Sequence, residues 1–281
     1  MEAVDTKGIL YVVATPIGNL ADFSFRAVEV LREVDCVLCE DTRTSSVLLK
    51  HYQINTPKTS LHAHNEARRC DSLIKKLKQG QRFALISDAG TPLISDAGHL
   101  LVTACHRERI PVIPIPGANA VATALSATGF AADCFVFEGF LPATRAARIK
   151  HLQCLKRDNR TMIFFEAPHR ITATINDMIE IFGEERTAAL AKELTKIHEH
   201  IVRGTLFDIK HWLCESAMQS KGEFVVLLGA CDVTAGDEIR IHVDDLVHAL
   251  SEYLSPGKAA AVVGALSGVP RKRLYRKKHR R

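Results

Sequence analysis

The sequence predicts an α/β protein with two α/β domains, residues 1–117 and 118–232, followed by a small basic helical module, residues 233–281. Three observations lead there. Through the first 117 residues, apolar runs rich in Val and Ile alternate with segments of helical period, the pattern of parallel strands covered by helices on both faces. A second set of strand and helix patterns follows "LSATGFAADC", with the weaker alternation of a mixed sheet. The chain of 281 residues is also longer than one core comfortably fills, so a division near residues 117–130 is expected.

In chain order, the first set offers strands at "ILYVVAT" (9–15), "CVLCE" (36–40), "FALISD" (83–88) and "PVIPI" (111–115). Between them, "FRAVEVLREV", "SSVLLKHY", "ARRCDSLIKKLK" and "HLLVTACHRE" space apolar residues three and four apart, as helices do. The second set offers strands "FVFEG", "RTMIFFEA", "TAALAKE" and "EFVVLLG", with "HEHIVRG" as a neighbouring strand. Helices are expected around 144–155, 169–181 and 206–215.

Composition narrows the function. No run approaches the roughly 18 apolar residues of a membrane helix, and "MEAVDTKG" lacks a basic segment followed by an apolar one, so a cytoplasmic protein is expected. Eight scattered cysteines suit a reducing compartment. Cys36 and Cys39 form a C-x-x-C pair, but on a strand that spacing sends the thiols to opposite faces, which reads as structural rather than redox or zinc chemistry. Net charge is +5, and the last twelve residues, "PRKRLYRKKHRR", hold eight Lys or Arg and no acid, leaving the remainder at −3. Such a tail suits a polyanion, and nucleic acid is the expected one.

Ligands of parallel sheets collect at the carboxyl ends of strands, where helix N-termini present free N–H groups. Four such ends carry "TPIGN" (15–19), "EDTRT" (40–44), "SDAGTP" (87–92) and "PGANA" (116–120). Small residues recur in three of these loops, as a close ligand requires. The Asp-Ala-Gly triplet occurs twice in "SDAGTPLISDAG", framing a loop that offers backbone N–H groups, the Thr91 hydroxyl and the Asp88 and Asp96 carboxylates; Asp96 by itself reads as the start of the following helix. The dinucleotide G-x-G-x-x-G, the Walker phosphate loop, G-x-S-x-G and H-E-x-x-H are all absent. In "HAHNE" (62–66), His62 and His64 share a face if extended, which suits polar contacts to a substrate better than a metal; no metal ligand set is assigned.

The segments "VATPIGNLADFSFRA", "CEDTRTSSVLL", "LHAHNE", "LISDAGTPLISDAG", "PIPGANAVATALSATGF", "FEGFLP", "FFEAPHR" and "AKELTKIHE" resemble, in order and spacing, the ribosomal RNA small subunit methyltransferase I family, a branch of the tetrapyrrole-methylase superfamily. The resemblance covers about residues 8–230. It implies two α/β domains with a cofactor cleft between them, usually in a homodimer. It implies transfer of a methyl group from S-adenosylmethionine to the ribose 2′-oxygen of a cytidine in 16S, the small-subunit ribosomal RNA, naked or in the assembled small ribosomal subunit. Cofactor contacts implied in this way are Pro16, Gly18, Gly90, Thr91, Ile94, Gly117, Ala118 and Asn119. Thr91 stands where many relatives place the Asp of a Gly-Asp-Pro loop, which leaves open whether Asp88 supplies that polar contact.

A ribose hydroxyl is a weak acid, so a base aligned with it assists transfer. Glu40, Asp41, Glu166 and Glu193 resemble the family's cleft carboxylates, and Arg43, His169, Arg170, Lys192 and Lys196 are candidates for RNA phosphates. "FFEAPHR" equally permits a plain pairing of Glu166 with Arg170, with Pro168 in the first helical turn. The module reads as a helix over 243–254, an N-cap at Ser255, a small-residue helix from Pro256, a turn at 267–269 and a basic helix from Pro270, a helix-turn-helix like that of the resembled family. Arg271, Lys272, Arg273 and Arg276 on that last helix are candidate phosphate contacts. Two other readings stay open: a methylase of tetrapyrrole-like small molecules, and a DNA-binding regulator whose body senses a nucleotide.

Overall fold

The computed structural model describes residues 8–216, 218–230 and 242–275. The chain divides into two compact units, one ending at Cys231 and the other starting at Asp232. In the first, β1 (Leu10–Val13), β2 (Cys36–Cys39), β3 (Lys58–Ser60), β4 (Phe83–Ile86) and β5 (Val112–Ile115) make a parallel sheet in the order β3-β2-β4-β1-β5. Residues alternate between its faces and both are covered, which is why the strands read as continuous apolar runs. Helices α1 (Phe25–Glu33) and α2 (Thr42–His51) pack Leu31 and Leu48 on the face of Val13, Val37 and Ile86. Helices α3 (Glu66–Lys78) and α4 (His99–Arg107) pack Leu77 and Leu101 on the face of Leu10, Leu38 and Leu85. Cys39 lies in the first of these cores and Cys36 against the second, on opposite faces as their spacing requires.

The short edge strand β3 has no apolar run to announce it; its sequence is only Lys-Thr-Ser. The extended reading of "HAHNE" is corrected: residues 63–65 form a turn. Asn65 makes the turn, its Oδ1 accepting from His62 N at 3.0 Å and its Nδ2 lying 3.0 Å from His62 Nε2.

The second sheet combines β6 (Phe135–Phe140), β7 (Thr161–Glu166), β8 (Thr187–Lys192), β9 (His200–Thr205) and β10 (Phe224–Leu228) in the order β6-β7-β10-β8-β9. Only β6 and β7 are parallel, so the sheet is mixed. Helices α6 (Arg145–Leu155), α7 (Ile171–Phe182) and α8 (Leu206–Glu215) cover one face with Leu152, Ile175 and Ile209. The other face receives α5 (Ala120–Thr128), the helix that leaves the first sheet, through Val121, Ala124 and Leu125 against Ala189, Ala191 and Leu227. Ile17, from the loop after β1, joins this core. Apolar packing through α5 and Ile17 thus holds the two sheets together in one unit.

In the second unit, α10 (Pro256–Ser267) packs on α9 (Val243–Leu250) and α11 (Arg271–Tyr275), burying Ala259, Ala260 and Val263. The expected first helix stops at Leu250 rather than continuing to residue 254, because residues 251–253 turn. Gly268 ends α10 with φ 69°, a left-handed cap that favours glycine. No helix among the described residues is long and apolar enough to cross a membrane.

Behind the second sheet, Arg148 and Asp177 form an ion pair at 2.7 Å with side chains 5% and 4% exposed, and Arg145 adds a bond to the same carboxylate at 2.9 Å. Removing one partner leaves the other charge buried and uncompensated. Asp177→Ala is expected to cost about 3–5 kcal/mol in urea unfolding, far more than a surface substitution.

Candidate active site

Adjacent strands β4 and β1 send their chains in opposite directions, towards β5 and β2 respectively, so a crevice opens beyond their carboxyl ends. The backbone closes its floor. Thr15 N donates to Gly90 O at 2.8 Å, Gly90 N donates to Thr15 O at 3.0 Å, and the Thr15 hydroxyl donates to Ser87 O at 3.2 Å. Both glycines of the repeated Asp-Ala-Gly triplet sit at positive φ, 83° at Gly90 and 121° at Gly98, which explains the repeat. Between them Leu93 and Ser95 are left-handed too, at 72° and 69°, a local strain characteristic of binding loops.

A cavity of about 350 Å³ lies between these loops and the second sheet. Ile17, Gly90 and Ile94 face it from the first sheet's loops; Phe165 and Val225 face it from the second sheet, and Leu194 from the turn after β8. Apolar walls with polar groups at one side form the usual build of a small-molecule site, and the volume accepts a nucleoside-sized ligand.

Of the expected cofactor contacts, Gly90, Thr91, Ile94 and Asn119 line the cavity. Pro16, Gly18, Gly117 and Ala118 lie in the surrounding loops but not on its lining. Their small size has another cause: a Cβ at Gly18 would stand 2.5 Å from Lys196 Cγ and 2.9 Å from Leu194 O, and one at Gly117 would stand 3.0 Å from Ala14 Cβ. The Thr91 hydroxyl donates to Ala118 O at 3.3 Å and accepts from Asn119 Nδ2 at 3.2 Å, tying the β4 and β5 loops together. Asn119 Oδ1 caps α5 by accepting from Val121 N and Ala122 N. Asp88 does not replace the missing Gly-Asp-Pro carboxylate in the cavity. It is exposed and accepts from Asp41 N at 3.1 Å, joining the β2 and β4 loops.

Several charged candidates are committed elsewhere. Asp41 caps α2, accepting from Arg43 N at 2.7 Å and from Arg43 Nη2 at 2.8 Å; the Arg43 hydrogen bonds hold its carboxyl down at about 2, so it is a cap rather than a base. Arg43 itself projects into solvent. Glu166 is buried, with Oε1 accepting from Ala167 N at 2.8 Å and lying 3.1 Å from Arg170 Nε in an ion pair, and Oε2 accepting from the Thr174 hydroxyl at 2.5 Å and from Arg170 Nη2 at 3.3 Å. Arg170 also donates to Leu141 O at 2.6 Å, so neither residue is free for catalysis or phosphate. The plain reading of "FFEAPHR" therefore fits, except that α7 begins at Ile171 and Pro168 lies in the turn before it. Glu193 Oε1 accepts from Glu223 N at 2.8 Å and Lys196 Nζ at 2.9 Å; burial raises its pKa, but these bonds outweigh burial and hold it below the ordinary carboxylate range. Lys196 also pairs with Glu223 at 3.0 Å, and Lys192 donates to Met218 O at 2.7 Å. His169 is exposed.

Glu40 and Asp96 behave differently. Burial, then Asp88, pushes the Glu40 carboxyl up. Asp96 does not start a helix: Gly98 is the N-cap of α4 and makes no side-chain cap bond. Asp96 lines the cavity instead, half-buried, and burial, then Glu40, then Asp88 push its carboxyl up to about 6 against a hydrogen bond from Ser87. Among the described residues, no group of three or more His, Cys, Asp or Glu is arranged to hold a metal ion.

Residues 9–210 match the tetrapyrrole (corrin/porphyrin) methylase family, and residues 237–277 match the RsmI C-terminal HTH domain. The ribosomal RNA small subunit methyltransferase I of Haemophilus influenzae is 47% identical over 96% of both chains, and that of Pasteurella multocida 47% over 95% of both. The chain belongs to the ribosomal RNA small subunit methyltransferase I family. Uroporphyrin-III C-methyltransferase from Thermus thermophilus, solved with S-adenyl homocysteine, shares its fold, with a TM-score of 0.55 at 17% identity over 79% of this chain and 97% of that one. The family's helix-turn-helix match covers α9 to α11, where Arg271 and Arg273 are exposed and Lys272 lies between them; Arg276 falls outside the described residues.

Asp96 yields a stability prediction. Its folded pKa lies above the unfolded value of 3.8, so its contribution is fully present below about pH 4 and is lost as pH rises through 6. Asp96→Asn is expected to stabilise the protein at pH 7–8 by about 1 kcal/mol, discounted for solvent screening of a half-exposed group, and to have no such effect near pH 4. Urea unfolding at both pH values checks this.

Proposed function

We propose that the chain transfers a methyl group from S-adenosylmethionine to the ribose 2′-oxygen of a cytidine in small-subunit ribosomal RNA. The observation that carries the reading is the cavity at the carboxyl ends of β1, β4 and β5, closed by the second sheet, in a chain whose near-full-length relatives are ribosomal RNA methyltransferases. When bound, S-adenosylmethionine supplies a sulfonium methyl already activated for transfer. The residues present fit such a ligand. Ile17, Phe165, Leu194 and Val225 exclude water from an adenosine-sized space, while the backbone at Gly90–Thr91 and the start of α5 offers polar groups at its edge. The chemistry then depends on alignment of the acceptor oxygen and removal of its proton.

RNA phosphates are assigned to the exposed Arg271 and Arg273 of α11, to Lys272 and Arg276 by their place in the same basic run, and to the exposed Arg43 and His169 on the body. The proposal extends to a cytoplasmic homodimer acting on small-subunit RNA or on the assembled small subunit, as the family resemblance implies. A tetrapyrrole-like substrate has less support, because the solved precorrin and uroporphyrin methyltransferases are only 16–19% identical to this chain, a likeness of fold alone. A DNA-binding regulator would leave the enclosed cavity and the methyltransferase relationship unexplained.

Two measurements test the reading. Labelled methyl transfer to small subunits lacking ribose methylation should occur with the full chain and fall several-fold with a chain ending at Gly236, with a steep salt dependence in RNA binding; no transfer to RNA by either would sink the proposal. Thr91→Trp should abolish binding of S-adenosylhomocysteine in calorimetry by filling the cavity, while the protein stays folded by circular dichroism.

A further inference from the structure

We propose that Phe140 is the platform on which the base of the target nucleotide stacks, holding its ribose at the cavity. The inference rests on the methyltransferase reading and deepens it. Phe140 reaches the cavity only because β6 slips by one residue. Along that strand Val136 packs on the core beneath α6, α7 and α8, and Phe137 on the opposite core, shared with α5. Strict alternation would send Phe140 to the side of Val136 and Glu138. The pairing shifts instead: Phe137 pairs with Ile163, Gly139 with Phe164 and Phe140 with Phe165, so Glu138 is the extra residue of a β-bulge. A slip of one residue exchanges faces, and Phe140 turns to the side of Phe137, Phe165 and the cavity. Two features hold the bulge. Glu138 Oε2 lies 2.9 Å from His151 Nε2 of α6, and Gly139 takes φ 68°, where a Cβ would also stand 3.4 Å from Ser95 Oγ.

The ring is fixed and yet open. Phe140 meets Phe165 with 5.5 Å between ring centroids and 65° between planes, and Phe165 meets Phe137 at 4.8 Å and 64°, an edge-to-face row. On the inner walls, Ile17, Leu194, Phe224 and Val225 are 3–8% exposed, whereas Phe140 is 56% exposed. Of the aromatic rings lining the cavity among the described residues, Phe224 is buried, Phe165 half-buried and Phe140 exposed. Phe140 therefore stands at the mouth, on the outermost strand of its sheet. With the inner walls given to the cofactor, the acceptor enters from this side, its ribose oxygen in line with the methyl group and its base beside the ribose. Unstacked bases are held on aromatic faces, and covering an exposed ring is itself favourable. Because every base has a face to stack, the platform sets the position of the nucleotide rather than the identity of its base.

The test compares wild type, Phe140→Ala, Phe140→Leu and Phe140→Tyr in methyl transfer to small subunits lacking ribose methylation, with calorimetry of S-adenosylhomocysteine and thermal melting of each variant. Phe140→Ala should lower kcat/KM about tenfold or more, the loss of one base–aromatic stack, while affinity for S-adenosylhomocysteine stays within about twofold. Phe140→Tyr keeps the aromatic face and should restore kcat/KM to within about twofold of wild type; Phe140→Leu, apolar but without that face, should recover little of the loss. A folded Phe140→Ala that keeps its kcat/KM, or that loses S-adenosylhomocysteine affinity in step with it, overturns the assignment, as does a Phe140→Leu as active as wild type. A wild type that binds S-adenosylhomocysteine but methylates no RNA overturns the functional reading instead.

Discussion

The site depends on the paired backbone bonds between Thr15 and Gly90. These two residues end neighbouring strands whose chains then part in opposite directions, and without a tie the crevice between them would be a gap rather than a floor. The bridge brings Gly90 to a φ of 83° and leaves its Cα side open, 3.3 Å from Ile17 Cγ2 were a Cβ present. Ile17 in turn packs under the second sheet with α5. One pair of hydrogen bonds therefore sets the position of the cavity floor relative to the wall that closes it, and the Thr91–Ala118 and Thr91–Asn119 bonds extend the same lacing to the β5 loop.

Charge is distributed around the cavity by a simple rule: carboxylates that build the wall are neutralised, and those at the rim are not. Glu166 has Arg170, and Glu193 and Glu223 share Lys196. The basic residues near the cavity, Arg170, Lys192 and Lys196, have their nitrogens used in holding the wall. At the rim, Asp88 adds to burial in pushing the Glu40 carboxyl up, and Glu40 and Asp88 add to burial in pushing Asp96 up, against His62 at Glu40 and Ser87 at Asp96. Such a concentration of like charge weakens the fold locally.

Much of this was legible in the sequence. Parallel strands announced themselves through continuous apolar runs, and three of the four strand-end loops, those after β1, β4 and β5, line the cavity, because small residues and prolines punctuate tight turns. What failed to show was anything decided by a long-range neighbour. Gly18 and Gly117 look like glycines awaiting a ligand, and are glycines because Leu194 and Ala14 approach them. Asp96 has the local pattern of a helix cap, yet Gly98 takes the cap and turns Asp96 inward; the duplicated triplet was the available clue, since Asp-Ala-Gly before Gly90 was already read as a loop. The walls of the cavity, Phe165 and Val225 on strands and Leu194 in the turn after β8, lie far away in sequence and carry no mark that separates them from core.

An acidic rim also constrains how a polyanion can be used. RNA phosphates are repelled by Glu40, Asp88 and Asp96, so the rim can admit one nucleotide's sugar but cannot supply general affinity for the backbone. That affinity has to come from cations not already paired, and the body offers few near the cavity, Arg43 being itself tied to Asp41. The basic helix-turn-helix unit, a separate compact unit with exposed Arg271 and Arg273, has the charge the body lacks. Separate compact units allow each to keep its own sign of charge, basic in the module and acidic at the rim.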